Sequence, residues 1–248
     1  MTTLFLAWQD TSRSRGWYPI GRLDADTAKP LYQFHYVHGA ERAHEEAGLR
    51  PLASFPDFRG QYQSEELFPL FRNRILGSDR EDFGEYLRLL NLRPDEADPL
   101  EILALTEGRR QTDNLEVFPK IIRNPDGGFR CRFFLHGWRH VSEPARQRLL
   151  ELQGGEMLRV VLELNNPATK LALQLETTDY QMIGWTPRYL VGDLAKAIRT
   201  SMEQIQAKVI KINQAPAPTQ QRVLIELSGN WPPEYEPMSS EDFQDINP

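Results

Sequence analysis

The sequence contains a single cysteine, Cys131, among 248 residues. No disulfide can form within such a chain, and a zinc site built on several cysteines is excluded. A reducing, cytoplasmic environment is therefore expected. Cys131 lies in the stretch 129–134 (FRCRFF), which is typical of a strand, so we expect a buried or half-buried thiol with no chemical role.

The chain also lacks a long hydrophobic run. The apolar stretch nearest the N-terminus, 4–8 (LFLAW), is short and has no basic leader before it. A membrane-spanning helix needs about 20 apolar residues, and a signal peptide needs a charged leader and a longer apolar core. We therefore expect no membrane as a partner.

Several catalytic motifs are missing. There is no Gly-rich phosphate loop, no Gly-x-Ser-x-Gly turn and no His-Glu-x-x-His helix. His35 and His38 lie in a predicted strand, where a spacing of three puts them on opposite faces, so they predict no shared metal. We expect a protein without enzyme activity or cofactor, although an enzyme whose site carries no readable motif stays open.

Negative charges outnumber positive charges over the whole chain, but one region has an excess of positive charge. The net charge of the chain is −6, whereas residues 130–213 hold 12 Lys and Arg against 8 Asp and Glu. A local excess of +4 favours phosphate binding, because neutralised phosphates release counterions. An excess of this size also arises by chance in an acidic protein.

Short apolar stretches predict an α+β arrangement for the first half. Ser64 followed by two glutamates indicates a helix start, and the apolar residues after it fall on one helical face. Pro99 suits the first turn of another helix. The predicted elements are strands at 4–8, 17–23, 32–37 and 115–119, and helices at 40–47, 64–76, 79–90 and from 98 onward.

The turn cluster 124–128 (NPDGG) is the best domain boundary. Beyond Trp231 the chain is acidic and Pro-rich, which predicts an extended tail that is either solvated or competes for a basic surface. We expect domains over 1–124 and 125–228 and a tail over 229–248. The predicted elements of the second domain are strands near 130–135, 157–164, 171–176, 181–184, 207–212 and 222–227, and a helix from about 192 to 203.

Residues 1 to about 120 carry weak motifs in a particular order: 20–23 (IGRL), 34–36 (FHY), 51–56 (PLASFP), 67–76 (LFPLFRNRIL) and 115–119 (LEVFP). In this order they resemble the N-terminal subdomain of HipA-type proteins, the kinase toxins of bacterial toxin–antitoxin pairs. The resemblance implies a docking surface for a protein partner. No kinase motif follows, so phosphoryl transfer is not implied.

Residues of about 130 to 213 carry a second set of motifs: the loop 165–172 (NNPATKLA) between apolar stretches, and the turn 184–189 (GWTPRY) before the predicted helix. This stretch resembles the HIRAN domain, a module that grips single-stranded DNA ends in repair helicases. The resemblance implies a small OB-like β-barrel with one or two helices. The whole chain is then α+β, with a sheet and packed helices preceding that barrel.

Residue types and the resemblance together predict a site for a single strand. Aromatic side chains stack on bases and cations pair with phosphates. Ala168, Thr169 and Leu171 replace an aromatic, an acid and an asparagine of the family loop, which argues against recognition of a strand end. The predicted nucleic-acid-binding residues are Arg132, Trp138, Arg139, His140, Asn165, Asn166, Lys170, Trp185 and Arg188.

Two functions are compatible with these observations. The first is a non-enzymatic accessory protein whose barrel holds single-stranded DNA or a strand end. The second is a protein-docking module, either toxin–antitoxin-like or a scaffold of a complex, that binds no nucleic acid. In the second case the tryptophans are core residues and 165–167 (NNP) is an ordinary turn.

Overall fold

A computed structural model describes residues 1–26, 28–200 and 205–247. The chain divides into two compact units. The first comprises Met1–Arg88, Leu92–Lys120 and Met238–Pro248, and the second comprises Leu89–Asn91 and Ile121–Pro237. Each unit contains one antiparallel sheet and packed helices, so the predicted α+β class is confirmed.

The strands and helices have the following bounds. The strands are β1 (Thr2–Gln9), β2 (Trp17–Asp26), β3 (Leu31–Tyr36), β4 (Gln61–Ser64), β5 (Leu115–Pro119), β6 (Gly128–Phe134), β7 (Met157–Asn166), β8 (Lys170–Glu176), β9 (Met182–Trp185), β10 (Gln206–Ile212) and β11 (Val223–Asn230). The helices are α1 (His38–Ala47), α2 (Pro69–Arg72), α3 (Phe83–Leu89), α4 (Pro99–Thr106), α5 (Glu143–Leu150) and α6 (Arg188–Thr200). Short 3-10 helices include Trp138–His140, Thr219–Gln221 and Glu241–Phe243.

The sheet of the first unit has the strand order β4-β3-β2-β1-β5. Successive side chains of a strand point to opposite faces, so the sheet has two surfaces. One of them forms the main core with the helices. The buried residues of that core include Leu4, Leu6, Ile20, Phe34, Tyr36, Phe71, Leu100 and Leu103. The opposite surface carries Phe5, Phe118 and Trp17, and Phe118 contacts the other two rings in a smaller aromatic cluster.

A buried arginine holds the loops of the first unit together. The guanidinium of Arg74 donates to the carbonyls of Leu70 and Gly108, and it binds both carboxylate oxygens of Asp113 at 3.1 and 2.6 Å. Its side chain is 1% exposed. Because every contact uses a separate N–H group of the planar fork, a lysine cannot replace it.

The helix predicted over 64–76 is mostly absent from the structure. Ser64 instead ends β4 and pairs with Tyr32 of β3. A helical turn begins only at Pro69, because proline fixes its own backbone and forces Phe68 into an extended conformation (ψ 142°). The apolar pattern correctly predicted that this stretch is buried, since Leu67 and Phe71 are in the core. Its prediction of one continuous helix over 64–76 was wrong.

The sheet of the second unit has the order β6-β11-β10-β7-β8-β9. It is not the closed barrel that the resemblance implies. The two outer strands, β6 and β9, meet only through one isolated bridge between His136 and Trp185. Beyond His136 the chain turns at Gly137 into the 3-10 helix Trp138–His140, so no continuous ladder closes the sheet among the described residues.

Two helices flank this sheet. α5 was not predicted from the sequence; Ser142 caps it by accepting a hydrogen bond from the backbone N–H of Ala145. The helix predicted from 192 to 203 begins earlier, at Arg188, and is described to Thr200. The predicted residues 201–203 lie outside the described part of the chain.

The residues after β11 are packed rather than extended into solvent. Trp231 is 4% exposed and stacks on Phe129 at 4.2 Å between ring centroids. The Tyr235 hydroxyl donates to the carboxylate of Asp193, and residues from Met238 onward belong to the first unit. The composition of residues 229–248 left open a solvated tail or one that competes for a basic surface; in the structure the few apolar side chains of this region act as anchors.

Candidate nucleic-acid interface

One face of the strands β7, β8 and β9 carries half-buried side chains. Val161 pairs with Gln174, and Gln174 pairs with Trp185, so these three side chains share a cross-strand row. Glu163 follows Val161 by two positions and therefore lies on the same face. The intervening residues of β8, Leu173 and Leu175, are buried on the opposite, core-facing side.

Glu163 lies at the centre of this face and organises it. Its Oε2 accepts a hydrogen bond of 2.7 Å from the indole Nε1 of Trp185 and one of 2.8 Å from Nδ2 of Asn166. Burial acts to raise the pKa of Glu163, but hydrogen bonds from Asn166, Trp185 and Gln174 outweigh it and leave that pKa below its usual value. The carboxylate is therefore ionised at neutral pH.

The loop between β7 and β8 is held by Asn166. Its Oδ1 accepts from the backbone N–H groups of Ala168 and Thr169 and from the Thr169 hydroxyl, each at 3.0 Å. This is the asparagine turn that ends many strands. Asn165 and Lys170 are exposed at its two ends. Asn166 thus shapes the loop, and Asn165 and Lys170 are the members that solvent reaches.

The bridge between His136 and Trp185 brings a second segment to this face. Their backbones exchange two hydrogen bonds of 3.0 Å. Gly137 follows in the left-handed conformation (φ 68°), and a Cβ there would fall 2.4 Å from Cε3 of Trp185. Only glycine permits this approach. The 3-10 helix Trp138–His140 therefore begins directly beside the Trp185 ring.

Within that 3-10 helix the side chains have different surroundings. Arg139 and His140 are exposed. Trp138 is half-buried, and its Nε1 donates to the carbonyl of Thr219 at 2.9 Å. Arg139 makes no ion pair with any residue that the structure describes. It follows by two residues Gly137, which lies against the Trp185 ring.

The other two predicted arginines, Arg188 and Arg132, differ in their surroundings. Arg188 is half-buried and begins α6, three residues after Trp185. Arg132 lies on β6 and forms an ion pair of 3.0 Å with Glu226 of β11. Glu226 therefore offsets the charge of Arg132. The structure brings together the segments around Trp138, Asn166 and Trp185, and it gives Arg132 a separate carboxylate partner.

Sequence reasoning missed the residues that assemble the face: Glu163, Gln174, His136 and Gly137. Glu163 left a signal, because it is the only charged residue in the otherwise apolar stretch 160–164 (VVLEL). A charged side chain at such a position needs hydrogen-bond partners when the strand is half-buried. His136 and Gly137 left none, since their role depends on pairing with a strand about 50 residues away in the chain.

Other chemistries find no obvious site in the described residues. Residues 1–26, 28–200 and 205–247 contain no group of three or more His, Cys, Asp or Glu arranged to hold a metal. In the same ranges no helix has the length and apolar character needed to cross a bilayer. The Cys131 thiol is buried as predicted, and burial together with the nearby Glu226 raises its pKa to about 12. Such a thiol is unreactive at neutral pH.

Comparisons with known proteins match the second unit. The family model of the HIRAN domain matches residues 129–228. A crystal structure of a protein from Lactobacillus plantarum shares 18% identity and covers 43% of this chain and 100% of its own, with a TM-score of 0.33. The crystal structure of the HIRAN domain of human HLTF also shares 18% identity, covering 48% of this chain and 93% of its own, with a TM-score of 0.34. No curated protein matches.

The resemblance of residues 1–120 to HipA-type proteins has no support among these matches. The second resemblance does have support, because the family match spans β6 to β11 almost completely. Residues 129–228 match the HIRAN domain. Because the HIRAN domain is in general a DNA-binding module, this match supports nucleic-acid binding by the chain.

Proposed function

We propose that the second unit binds single-stranded nucleic acid, without catalysis, on the face around Trp185. The bases stack on Trp185 and on His140, and the backbone phosphates contact Arg139, Lys170 and Arg188. The chain then acts as an accessory protein that holds a strand.

The observation that carries this proposal is the bridge between His136 and Trp185. The bridge brings the segment that carries the exposed Arg139 and His140 next to the half-buried indole of Trp185. The hydrogen bond to Glu163 uses the edge of this indole and not its face. A single strand needs a flat ring to stack on and a cation within reach of the next phosphate. Stacking contributes about 1–3 kcal/mol per base and tolerates any base.

Carboxylates limit the affinity. Glu163 lies in the middle of the face, and Glu226 offsets the charge of Arg132. A duplex presents a dense row of phosphates and suffers most from such charges, whereas a single strand can direct its bases toward them. We therefore expect preference for a single strand over a duplex, and modest affinity that falls as salt rises.

Fluorescence anisotropy with a labelled 12-nucleotide DNA strand tests the proposal at 50 mM salt. The variant Arg139→Ala with Arg188→Ala removes two phosphate contacts. The slope of log K against log salt should fall by about 1.4, since each contact to a single strand contributes about 0.7. An RNA strand and a duplex of equal length, measured in parallel, establish the preferred nucleic acid.

A matched control removes the same charge elsewhere in the unit. Arg146 on α5 and Lys208 on β10 are both exposed, so Arg146→Ala with Lys208→Ala changes the net charge equally. This control should keep the wild-type slope. Equal loss in both double variants would reduce the effect to net charge, and no binding by the wild type at 50 mM salt would overturn the proposal.

A protein-docking function is the second candidate, and it concerns the first unit. An aromatic cluster and two basic side chains on one face of its sheet, together with Arg42 of α1, contact an acidic segment of the chain. Affinity capture of the intact protein with nuclease treatment separates the two functions. Recovered nucleic acid supports strand binding, whereas a stoichiometric protein that survives nuclease supports docking.

A further inference from the structure

The C-terminal segment 238–247 lies against a single cross-strand row of the first unit. One residue from each of the five strands forms this row, and all are in register with their neighbours. In the order of the sheet they are Gln61, His35, Arg22, Phe5 and Phe118. The segment contacts every member of the row, in the reverse order, from Phe118 to Gln61.

The first contact is aromatic. Phe243 packs on Phe5 with ring centroids 4.9 Å apart and on Phe118 at 6.4 Å, both edge to face. It adds to the smaller aromatic cluster on the surface opposite the main core. Phe5 and Phe118 are buried in the structure. Without Phe243 they would form an apolar depression.

The next contacts are made by two carboxylates of the segment. The carboxylate of Asp245 lies 2.8 Å from Nε2 of His35 and 3.7 Å from a guanidinium nitrogen of Arg22. Asp242 receives two parallel hydrogen bonds, of 2.8 and 2.6 Å, from Arg42 on α1. Paired bonds of this kind give both strength and geometric selectivity. Arg42 and Arg22 therefore lie opposite carboxylates on either side of Phe243.

Backbone pairing holds residues 244–246 in an extended form, directly after the 3-10 helix Glu241–Phe243. The N–H of His38 donates to the carbonyl of Gln244 at 2.9 Å, and the N–H of Ile246 donates to the carbonyl of Tyr36 at 3.3 Å. At its far end, Nε2 of Gln61 donates to the carbonyl of Asn247. This is how a sheet edge accepts a short extended peptide.

Strain marks the connection that leads to the segment. Glu234 and Met238 adopt left-handed conformations (φ 59° and 54°) although neither is glycine. Such residues store strain that is released when the backbone relaxes. Strain at Met238, the first residue of the segment, therefore favours release, while the aromatic, ionic and backbone contacts oppose it.

We propose that this face of the first unit is a binding site for acidic peptides of the form Asp-Phe-x-Asp, and that residues 238–247 occupy it in cis as an exchangeable ligand. A partner protein with such a peptide competes with the segment for the same cations and aromatic rings. The site is independent of strand binding by the second unit.

Hydrogen–deuterium exchange of the intact wild-type protein distinguishes an exchangeable ligand from a permanent part of the fold. Release frees the N–H groups of His38 and Ile246, but the N–H of Val37 keeps its bond to the carbonyl of Ile20. We expect His38 and Ile246 to exchange roughly tenfold faster than Val37 or more, through a local opening. Equal protection of all three amides would overturn the proposal.

A labelled synthetic peptide with the sequence of residues 238–248 tests binding in trans. Full-length Phe243→Ala with Asp245→Asn weakens the cis ligand and should bind this peptide at least roughly tenfold more tightly than the wild type does. A peptide carrying Phe243→Ala should not bind. Absence of saturable binding to a variant with wild-type circular dichroism would overturn the proposal.

Two further outcomes are informative. If the double variant unfolds, the peptide titration uses the full-length variant Asp242→Asn instead. This variant leaves Phe243 in place. If the wild type forms a concentration-dependent dimer that Phe243→Ala abolishes, the site is occupied by the segment of a second copy, which supports the peptide site.

Discussion

The indole Nε1 of Trp185 donates a hydrogen bond of 2.7 Å to Oε2 of Glu163, across two strands of the second unit. The bond holds the edge of the Trp185 ring and thereby fixes the orientation of the ring. Gly137 also lies close to this ring, at the Cε3 and Cζ3 atoms. An aromatic side chain held in this way is ready to stack without a further entropic cost of ordering.

The stacking role of Trp185 predicts a loss of affinity on its removal. Trp185→Ala should weaken binding of a single strand by about 1–3 kcal/mol, which is roughly 5- to 150-fold in Kd. Trp185→Phe keeps a ring and should lose less. Anisotropy titrations at constant salt measure both, and an unchanged Kd for Trp185→Ala would remove Trp185 from the binding face.

The charge of Glu163 predicts a gain of affinity on its neutralisation. Glu163→Gln keeps an oxygen for the Trp185 indole but removes a negative charge from the face, so phosphates should bind several-fold more tightly. Glu163→Ala instead leaves the indole N–H unpaired and should lower the free energy of unfolding by about 1–3 kcal/mol. Weaker binding by Glu163→Gln would show that the carboxylate contacts the strand directly.

The buried Arg74 predicts a large loss of stability in the first unit. Arg74→Ala leaves two carbonyls and Asp113 without their donor and should reduce the free energy of unfolding by about 3 kcal/mol or more. Arg72 is two residues away, with an exposed ion pair to Glu66, and Arg72→Ala should cost less than about 1 kcal/mol. Urea unfolding measures both, and equal effects would contradict the assigned role.

A loop aspartate predicts part of the acid sensitivity. Backbone N–H groups of Ser14 and Ser12 and the two serine hydroxyls donate to Asp10 and hold its pKa below the usual 3.8. Its contribution to stability is therefore complete above the usual carboxyl range and is lost as the pH falls through the lowered pKa.

Asp10→Asn should accordingly lose stability less steeply than the wild type between pH 5 and 2, as measured by urea unfolding at each pH. Asp57→Asn, on an exposed loop of the same unit, serves as the control and should keep the wild-type slope. Parallel curves for the wild type and Asp10→Asn would rule out this contribution.

The sequence predicted most of the strands because alternation of apolar residues is a local property. Strands β1 to β3 and β5 to β11 were anticipated to within a few residues. The short strand β4 and helix α5 were not, since neither has a distinctive apolar pattern. The helix predicted over 64–76 is largely replaced, because Pro69 decided the local geometry.

The candidate site was predicted only in part. Trp138, Arg139, Asn165, Asn166 and Trp185 were identified from residue type and resemblance, and whether they bind nucleic acid stays a prediction. Sequence alone could not establish that Asn166 shapes the loop or that Arg132 has Glu226 as its partner. These relationships depend on strand register, which shifts the neighbours of every side chain when it slips by one residue.

The sequence by itself determined the α+β class, the apolar cores of both units and the placement of most strands, because burial and periodicity are encoded residue by residue. Only the tertiary structure decided that Glu163 accepts a hydrogen bond from Trp185, that one bridge replaces a closed barrel, and that residues 238–247 return to the first unit. Each of these is a contact between residues distant in the chain, and its energy depends on which side chains the fold brings opposite one another.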